Sequence, residues 1–240
     1  MKFYDDLADY YHLIYPDWDA SIERQGDVLA NLIRSEWSGA ASIADVACGI
    51  GTQSLGLAAR GFSVEASDLS PRAVERASRE AAARDFAIHA RVDDMRELRT
   101  HSSSDVVIAC DNAVPHLLSD DEILSAFRQF HRVARRGCII SVRDYASLPR
   151  AGRPVFPFGV QQIDRDLVTM TQVWDFHGDI YDLNFYFVFD DGSRVDTRVF
   201  RAKYYAVTID KLIALMQRAG FKNVRRLDDL FFQPLILGSA

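Results

Sequence analysis

The sequence has few cysteines, no excess of basic residues and no long apolar run. Its three cysteines, Cys48, Cys110 and Cys138, form no Cys-x-x-Cys pair, which argues against a disulfide framework and against structural zinc. No window approaches eighteen uninterrupted apolar residues, as a membrane-spanning helix requires. The net charge of −6 does not supply the basic surface that a nonspecific grip on nucleic acid needs. We expect no metal, nucleic acid or membrane partner.

The N-terminal stretch MKFYDDLADYYHLIY is acidic and aromatic, and it lacks the basic start and apolar run of a signal peptide. Together with the sparse cysteines, this predicts a reduced, cytoplasmic protein. Hydrophobic residues make up 48% of the 240 positions, enough for a full core. We therefore expect one globular domain over residues 1–240, and the sequence leaves a homo-oligomer open.

The first two thirds of the chain alternate between helical and strand patterns. This alternation predicts an α/β fold with a parallel sheet covered on both faces. Helix starts are marked by Asp17 or Asp19, Ser70-Pro71 and Ser119, and Gly61 marks a helix end. The predicted helices cover 19–36, 52–60, 71–84 and 119–134, and the predicted strands cover 42–47, 62–67, 87–92, 105–110 and 138–143.

The pattern changes after Pro149. Residues 150–160 are rich in Pro, Gly and Arg and predict a loop. Three β-rich stretches follow, at 167–175, 180–190 and 194–207, with hairpin turns between them, so we predict an antiparallel β insertion over 150–207. Thr208 then begins a helix that Gly220 ends, and two closing strands are predicted at 224–227 and 232–237.

Three chemical signals lie at the predicted carboxyl ends of successive strands. The run Asp45-Val-Ala-Cys-Gly-Ile-Gly51-Thr places glycines at a strand-to-helix turn, where a ligand can approach the backbone. Ser54 replaces the third glycine of a dinucleotide fingerprint. Asp68 ends the next strand, where a carboxylate can accept from both hydroxyls of a ribose. Asp94, beside Met95, follows the third strand and suits an adenine amino group.

Each signal has a simpler interpretation. The glycines suit a tight turn without a ligand, Asp68 suits a helix cap, and Asp94 suits a solvated loop. Open α/β sheets bind ligands at the carboxyl ends of their strands, so the coincidence of all three favours a binding site.

The segments DVACGIGT, EASDLS and DDMREL resemble those of class I S-adenosylmethionine-dependent methyltransferases over roughly residues 40–145. The resemblance implies a Rossmann-like, seven-stranded methyltransferase sheet with the β insertion after strand five. It also implies that S-adenosyl-L-methionine is the cofactor and S-adenosyl-L-homocysteine the product. The implied cofactor-binding residues within this core are Ala47, Gly49, Gly51, Asp68, Leu69, Asp94, Met95 and Cys110.

The runs CDNAVPHL and ISVRDY resemble the corresponding stretches of glycine and glycine/sarcosine N-methyltransferases. Carried over by position, Asn112 contacts the substrate, Arg143 holds its carboxylate and Tyr15 lines the methyl-transfer site. His116 and Tyr145 complete the implied catalytic group, while Tyr4, His12 and Arg24 from an N-terminal lid (1–36) enclose the cofactor. Asp144 replaces the usual Asn, and His12 stands where an aromatic residue such as Trp is typical.

The expected reaction is methyl transfer to the amine of glycine, sarcosine or a similar small carboxylate, with no obligatory general base. The alternative to substrate binding by Arg143 is a structural role, in an ion pair with Asp144 or Glu122. For His116 the alternative is a helix-start hydrogen bond, and for the lid tyrosines it is ordinary packing. Two other functions stay open, methylation of a heterocyclic or natural-product acceptor and noncatalytic cofactor binding.

Overall fold

The computed structural model describes residues 2–99, 101–150 and 152–240, which form two β-sheets and six α-helices. The strands are β1 (Ser42–Asp45), β2 (Ser63–Asp68), β3 (Ile88–Val92), β4 (Ser104–Ala109), β5 (Ala134–Ser141), β6 (Val155–Ile163), β7 (Asp166–His177), β8 (Ile180–Asp190), β9 (Val195–Tyr205), β10 (Lys222–Leu227) and β11 (Leu235–Ser239). The helices are α1 (Lys2–Leu7), α2 (Trp18–Glu36), α3 (Thr52–Ala58), α4 (Pro71–Ala83), α5 (Asp120–Val133) and α6 (Ile209–Ala219).

The larger sheet has seven strands in the order β10-β11-β5-β4-β1-β2-β3. Strands β1 to β5 pair in parallel, whereas β11 runs antiparallel to both β5 and β10. This arrangement confirms the predicted Rossmann-like methyltransferase sheet. The carboxyl ends of β1, β2, β3 and β4 therefore meet at one edge.

The sheet is buried on both faces because successive side chains of a strand point in opposite directions. In β4, Val107 packs in the cluster that contains Phe127 of α5, whereas its neighbour Ile108 packs with Leu29 of α2 and Leu57 of α3. All five side chains are fully buried. This two-sided burial explains why the strands are almost continuously apolar.

The predicted helix starts are confirmed by side-chain caps that accept hydrogen bonds from otherwise unpaired backbone amides. The capping residues are Asp17 for α2, Ser70 for α4, Ser119 for α5 and Thr208 for α6. Gly220 ends α6 with φ +115°, a conformation that glycine adopts without steric cost.

The second sheet is antiparallel, with the order β6-β7-β8-β9. The prediction of a loop over 150–160 was wrong, since Val155–Ile163 forms the edge strand β6. Pro157 lies within this strand, where an edge position tolerates its missing N–H, and the register shifts between Pro157 and Gly159. The predicted three-stranded insertion is thus a four-stranded sheet.

The N-terminal segment contains two short elements that the sequence analysis did not predict, α1 and a 3-10 helix at Tyr11–Ile14. It is attached to α4, because Arg76 donates to the carbonyl oxygen of Ala8 at 2.7 Å and Ser70 donates to Asp5 at 2.6 Å. Within the described residues, no helix has the length and apolar character needed to cross a membrane.

Candidate active site

Two neighbouring cavities lie at the carboxyl edge of the parallel strands. The first has a volume of about 450 Å³ and is lined by the turns that follow β1, β2, β3 and β4. The second, of about 390 Å³, lies between the N-terminal segment, the antiparallel sheet and the turns after β4 and β5. Both cavities share one wall, formed by Phe3, Tyr4, Tyr11, Tyr15 and Asp111.

The glycine turn after β1 opens onto the first cavity. Ala47 and Gly49 line it, and a Cβ atom at Gly49 would meet no atom within 4 Å. Gly51 does not line either cavity. It precedes α3 with φ +98°, so its contribution is the backbone shape of the turn.

Asp68 lies beside this turn with both carboxylate oxygens held by backbone amides. One oxygen accepts from Gly49 and the other from Ser70, each at 2.9 Å. The Leu69 backbone amide also bonds this carboxylate, and a carboxylate has about four lone-pair sites, so acceptor capacity remains for a further donor. Burial raises the pKa of Asp68. A carboxylate held in this way can accept from a ribose hydroxyl, and exposed Leu69 follows directly.

Asp94 and Met95 also line the first cavity, but Asp94 is already engaged. Arg96 donates to both of its oxygens, with a shortest distance of 2.6 Å, and the Arg96 backbone amide donates as well. Arg96 also pairs with Glu122 at 2.6 Å. Hydrogen bonding by Arg96 lowers the pKa of Asp94. An adenine amino group would have to compete with this guanidinium, which the sequence analysis did not anticipate.

His116 and Cys110 complete the predicted residues of the first cavity. The His116 ring lies 2.8 Å from the hydroxyl of Tyr4 and 4.0 Å, centroid to centroid, from the ring of Tyr204. Burial, with a smaller effect of the nearby Arg143 charge, lowers the pKa of His116 to about 3. His116 is therefore neutral near pH 7 and holds the hydroxyl of Tyr4 in place.

Arg143 lines the second cavity with a buried guanidinium. Its Nη1 atom is inaccessible to solvent and has no hydrogen-bond partner, and the group lies 5.5 Å from the ring centroid of Trp174 and 5.9 Å from that of Tyr204. The alternative ion pairs are absent from the described residues, because Asp144 pairs with Arg226 and Glu122 with Arg96.

Asn112 and Tyr145, which the resemblance places in the catalytic group, line neither cavity. Asn112 is buried, donates to the Tyr145 hydroxyl at 2.7 Å and accepts from the Arg143 backbone amide at 3.1 Å. The Tyr145 hydroxyl in turn lies 3.0 Å from that of Tyr181. The side-chain polar atoms of Asn112 are therefore bonded within the protein, and its oxygen holds the backbone amide of Arg143.

Two residues of the N-terminal segment do not line the first cavity. His12 lines neither cavity; it lies at a third pocket with Tyr10 and Arg198, and its ring centroid is 6.2 Å from that of Trp18. Arg24 lines the second cavity and not the first, and its guanidinium donates to Ser21 at 3.1 Å. Tyr4 and Tyr15 lie on the wall between the cavities, as described above.

Asp111 is a site residue that the sequence patterns did not single out, although it lies in the run CDNAVPHL. Asp111 lies on the shared wall and accepts from the hydroxyls of Tyr11 at 2.8 Å and Tyr15 at 3.2 Å. Its position could have identified it, because Asp111 is an acid that closely follows β4, just as Asp68 is an acid at the end of β2.

The comparisons with known proteins agree with this geometry. Residues 43–137 match the family model described as a methyltransferase domain. The chain resembles S-adenosylmethionine-bound CalS10, an amino pentose methyltransferase from Micromonospora echinaspora, at 17% identity with a TM-score of 0.81 over 91% of each chain. It also resembles Streptomyces venezuelae DesVI, at 20% identity with a TM-score of 0.84 over 96% of this chain and 97% of that one.

Residues 43–137 thus match a methyltransferase domain, and the strand order is that of the class I methyltransferase fold. The chain is similar to the glycine/sarcosine N-methyltransferase of Parasynechococcus marenigrum (strain WH8102), with 28% identity over 234 residues, 95% of this chain and 79% of that protein. The first cavity suits the cofactor, since the Asp68 carboxylate lines it with acceptor capacity remaining and Gly49 leaves open space. No group of three potential metal ligands occurs in the part of the chain that the structure describes.

Proposed function

We propose that this enzyme methylates the amine of a small carboxylate such as glycine or sarcosine, with the acceptor in the second cavity. The observation that carries the proposal is the buried, incompletely paired guanidinium of Arg143. A buried charge is costly unless it is paired, and an arginine stays protonated even when buried. A substrate carboxylate is the partner that a guanidinium binds with two parallel hydrogen bonds.

The surroundings of Arg143 support this assignment. Trp174 and Tyr204 flank the guanidinium with aromatic rings, which leaves its charge available to an entering anion. The similarity to a glycine/sarcosine N-methyltransferase supports the same acceptor class, since the name of that relative specifies small amino carboxylates.

In the first cavity, Asp68 would bind the ribose and the apolar side chains of Met95 and Leu69 would face the adenine. S-adenosylmethionine supplies an electrophilic methyl group on its sulfonium when it is bound. The protein positions the two reactants and excludes water from between them. Tyr4, Tyr11 and Tyr15 do this from the shared wall, and neutral His116 orients Tyr4.

A kinetic test replaces Arg143 with Gln and, separately, with Lys, and follows S-adenosylhomocysteine formation with glycine and sarcosine. Loss of a buried charge-assisted contact costs about 2 kcal/mol or more, so we expect KM to rise about 30-fold or more for Arg143→Gln. Arg143→Lys keeps the charge but cannot form two parallel hydrogen bonds, so its KM should lie between those of the wild type and Arg143→Gln. The matched control is Arg165→Gln on an exposed hairpin, and unchanged KM and kcat for both Arg143 variants would refute the proposal.

A binding test addresses Asp68 independently of the acceptor. Asp68→Ala removes the carboxylate, and we expect the affinity for S-adenosylhomocysteine to fall at least tenfold by calorimetry, since hydrogen bonds to charged groups contribute about 1.5–3 kcal/mol each. The exposed Asp228→Asn variant serves as a control. Unchanged affinity in Asp68→Ala would contradict the ribose assignment.

A second candidate is N-methylation of a larger amine such as an amino sugar. The second cavity, at about 390 Å³, equals roughly 13 water volumes in the liquid, more than the five non-hydrogen atoms of glycine occupy. The resemblance in fold to an amino pentose methyltransferase fits this alternative. It predicts that an acceptor without a carboxylate reacts equally well with the wild type and with Arg143→Gln.

A further inference from the structure

Asp111 lies on the wall that the two cavities share. It lines both, whereas Arg143 lines only the second. Among the described residues that line both cavities, Asp111 is the acidic one. Its carboxylate is therefore placed between a ligand in the first cavity and an acceptor held at Arg143.

The carboxylate of Asp111 is fixed but not saturated. Its Oδ2 atom accepts from the hydroxyls of Tyr11 and Tyr15, which uses both lone pairs. Its Oδ1 atom accepts only a long bond of 3.4 Å from Gln233. Burial, followed by the charge of Asp111, raises the pKa of the Tyr11 and Tyr15 phenols well above the ordinary value, so both remain protonated donors. One oxygen of Asp111 is thereby left to receive another donor.

The backbone also holds Asp111 in a rarely adopted conformation. Asp111 and Asn112 have φ values of +54° and +62°, in the left-handed region that non-glycine residues seldom occupy. Bonds from both backbone amides to Ser141, at 2.7 Å to its hydroxyl and 3.1 Å to its carbonyl oxygen, stabilise this turn. Strained backbone that is held in place by its surroundings is concentrated at functional sites.

No described lysine, arginine or histidine forms an ion pair with Asp111, and none of the described acids pairs with Arg143. The second cavity is thus lined by one carboxylate, Asp111, which also lines the first cavity, and by two guanidiniums, those of Arg143 and Arg24. This arrangement is complementary to a zwitterion whose amine points toward the cofactor and whose carboxylate points away from it.

We infer that Asp111 is the amine-binding residue of the acceptor site, accepting an N–H bond from the cationic amine at Oδ1 and so selecting amines over alcohols and ethers. This inference deepens the proposed function and rests on it, since it assumes that the second cavity receives the acceptor. Tyr11, Tyr15 and Gln233 act as positioning residues that aim the carboxylate.

The test uses three probes on the full-length protein with S-adenosylhomocysteine bound. Sarcosine carries both charges, methoxyacetate replaces its amine by an ether oxygen, and N-ethylmethylamine lacks the carboxylate. The variant is Asp111→Asn, and the matched control is Asp164→Asn, the same substitution at an exposed turn residue with a similar φ of +52°. Binding is followed by NMR titration.

We expect Asp111→Asn to weaken sarcosine binding at least tenfold and to leave methoxyacetate binding unchanged, while Asp164→Asn changes neither. Equal losses for both probes would mean a structural role and would overturn the inference, as would unchanged sarcosine binding. Weaker binding of S-adenosylmethionine but not of S-adenosylhomocysteine would assign Asp111 to the sulfonium instead, which also overturns it. Tyr11→Phe, which removes one donor to Oδ2, should weaken sarcosine in the same direction by a smaller factor.

The probes separate the inference from the proposed function. If binding of methoxyacetate requires Arg143 while binding of sarcosine is unchanged in Asp111→Asn, the proposed carboxylate site is supported and the inferred amine site is refuted. If N-ethylmethylamine binds in an Asp111-dependent way and neither carboxylate binds, the amine site stands and the carboxylate acceptor fails. Absence of binding by all three probes overturns both.

Discussion

Replacing Asp45 with Asn should change how the stability of the protein depends on pH. Asp45 ends β1 with 1% of its surface exposed, and it accepts from the hydroxyl of Ser54 at 2.6 Å. Burial is the largest influence and raises the pKa of Asp45 from 3.8 to about 7, although the Ser54 bond opposes this shift. The folded protein therefore keeps this carboxyl protonated at a pH where the unfolded chain has already ionised it.

The sign and size follow from proton linkage. Between about pH 4 and pH 7 the folded state binds more protons at Asp45 than the unfolded state does, so the free energy of unfolding falls as pH rises. A difference of roughly three pKa units corresponds to about 4 kcal/mol, a large share of a typical stability of roughly 5–15 kcal/mol. The cost is absent below the unfolded pKa and complete above the folded one.

The assay is urea unfolding of the wild type and of Asp45→Asn at several pH values from about 4 to 8. Subtracting the two curves cancels groups that both proteins share, such as His116. We expect the difference to shift in favour of the variant by about 4 kcal/mol across this range. Ser54→Ala removes a bond that favours the ionised form, so it should move the transition to higher pH. A difference that stays constant from acid to neutral pH would refute the reasoning.

Three further predictions follow from single contacts. Gly137→Ala should destabilise the protein by about 1–3 kcal/mol or more in urea, because an added Cβ would lie 2.1 Å from Cζ2 of Trp37 and 2.7 Å from the carbonyl oxygen of Gly238; a loss below the measurement error would contradict this. The pH profile of kcat/KM should show no His116 limb from about pH 5 to 8, since its pKa is lowered to about 3, and a limb in this range that disappears in His116→Gln would count against it. Ser70→Ala should cost about 1 kcal/mol through loss of the α4 cap, and an unchanged urea midpoint would show that the cap adds nothing.

The parallel half of the fold was predictable because its signals are local. Periodic apolar residues and capping side chains such as Ser70 and Ser119 mark each element within a few positions. Strand β6 was not predicted because Pro157 and Gly159 are typical of loops. This stretch becomes a strand through its pairing with β7. Helix α1, with six residues, is too short for a periodic pattern and depends on tertiary contacts.

The candidate site was less predictable, since it depends on where neighbouring side chains point. Asp111 and Asn112 are adjacent, and sequence spacing does not tell which of them faces a cavity when both adopt positive φ. The absence of an ion pair at Arg143 was equally unpredictable, because Asp144 pairs instead with Arg226, which is 82 positions away in the chain. Such long-range competition leaves no local pattern.

Tyr4, Tyr11 and Tyr15 line both cavities, so a ligand in either cavity restricts side chains that the other ligand also contacts. The first ligand to bind loses the conformational entropy of these side chains, and the second then binds to a preorganised surface. We therefore expect heterotropic cooperativity, with S-adenosylhomocysteine tightening acceptor binding by the same factor by which the acceptor tightens S-adenosylhomocysteine binding.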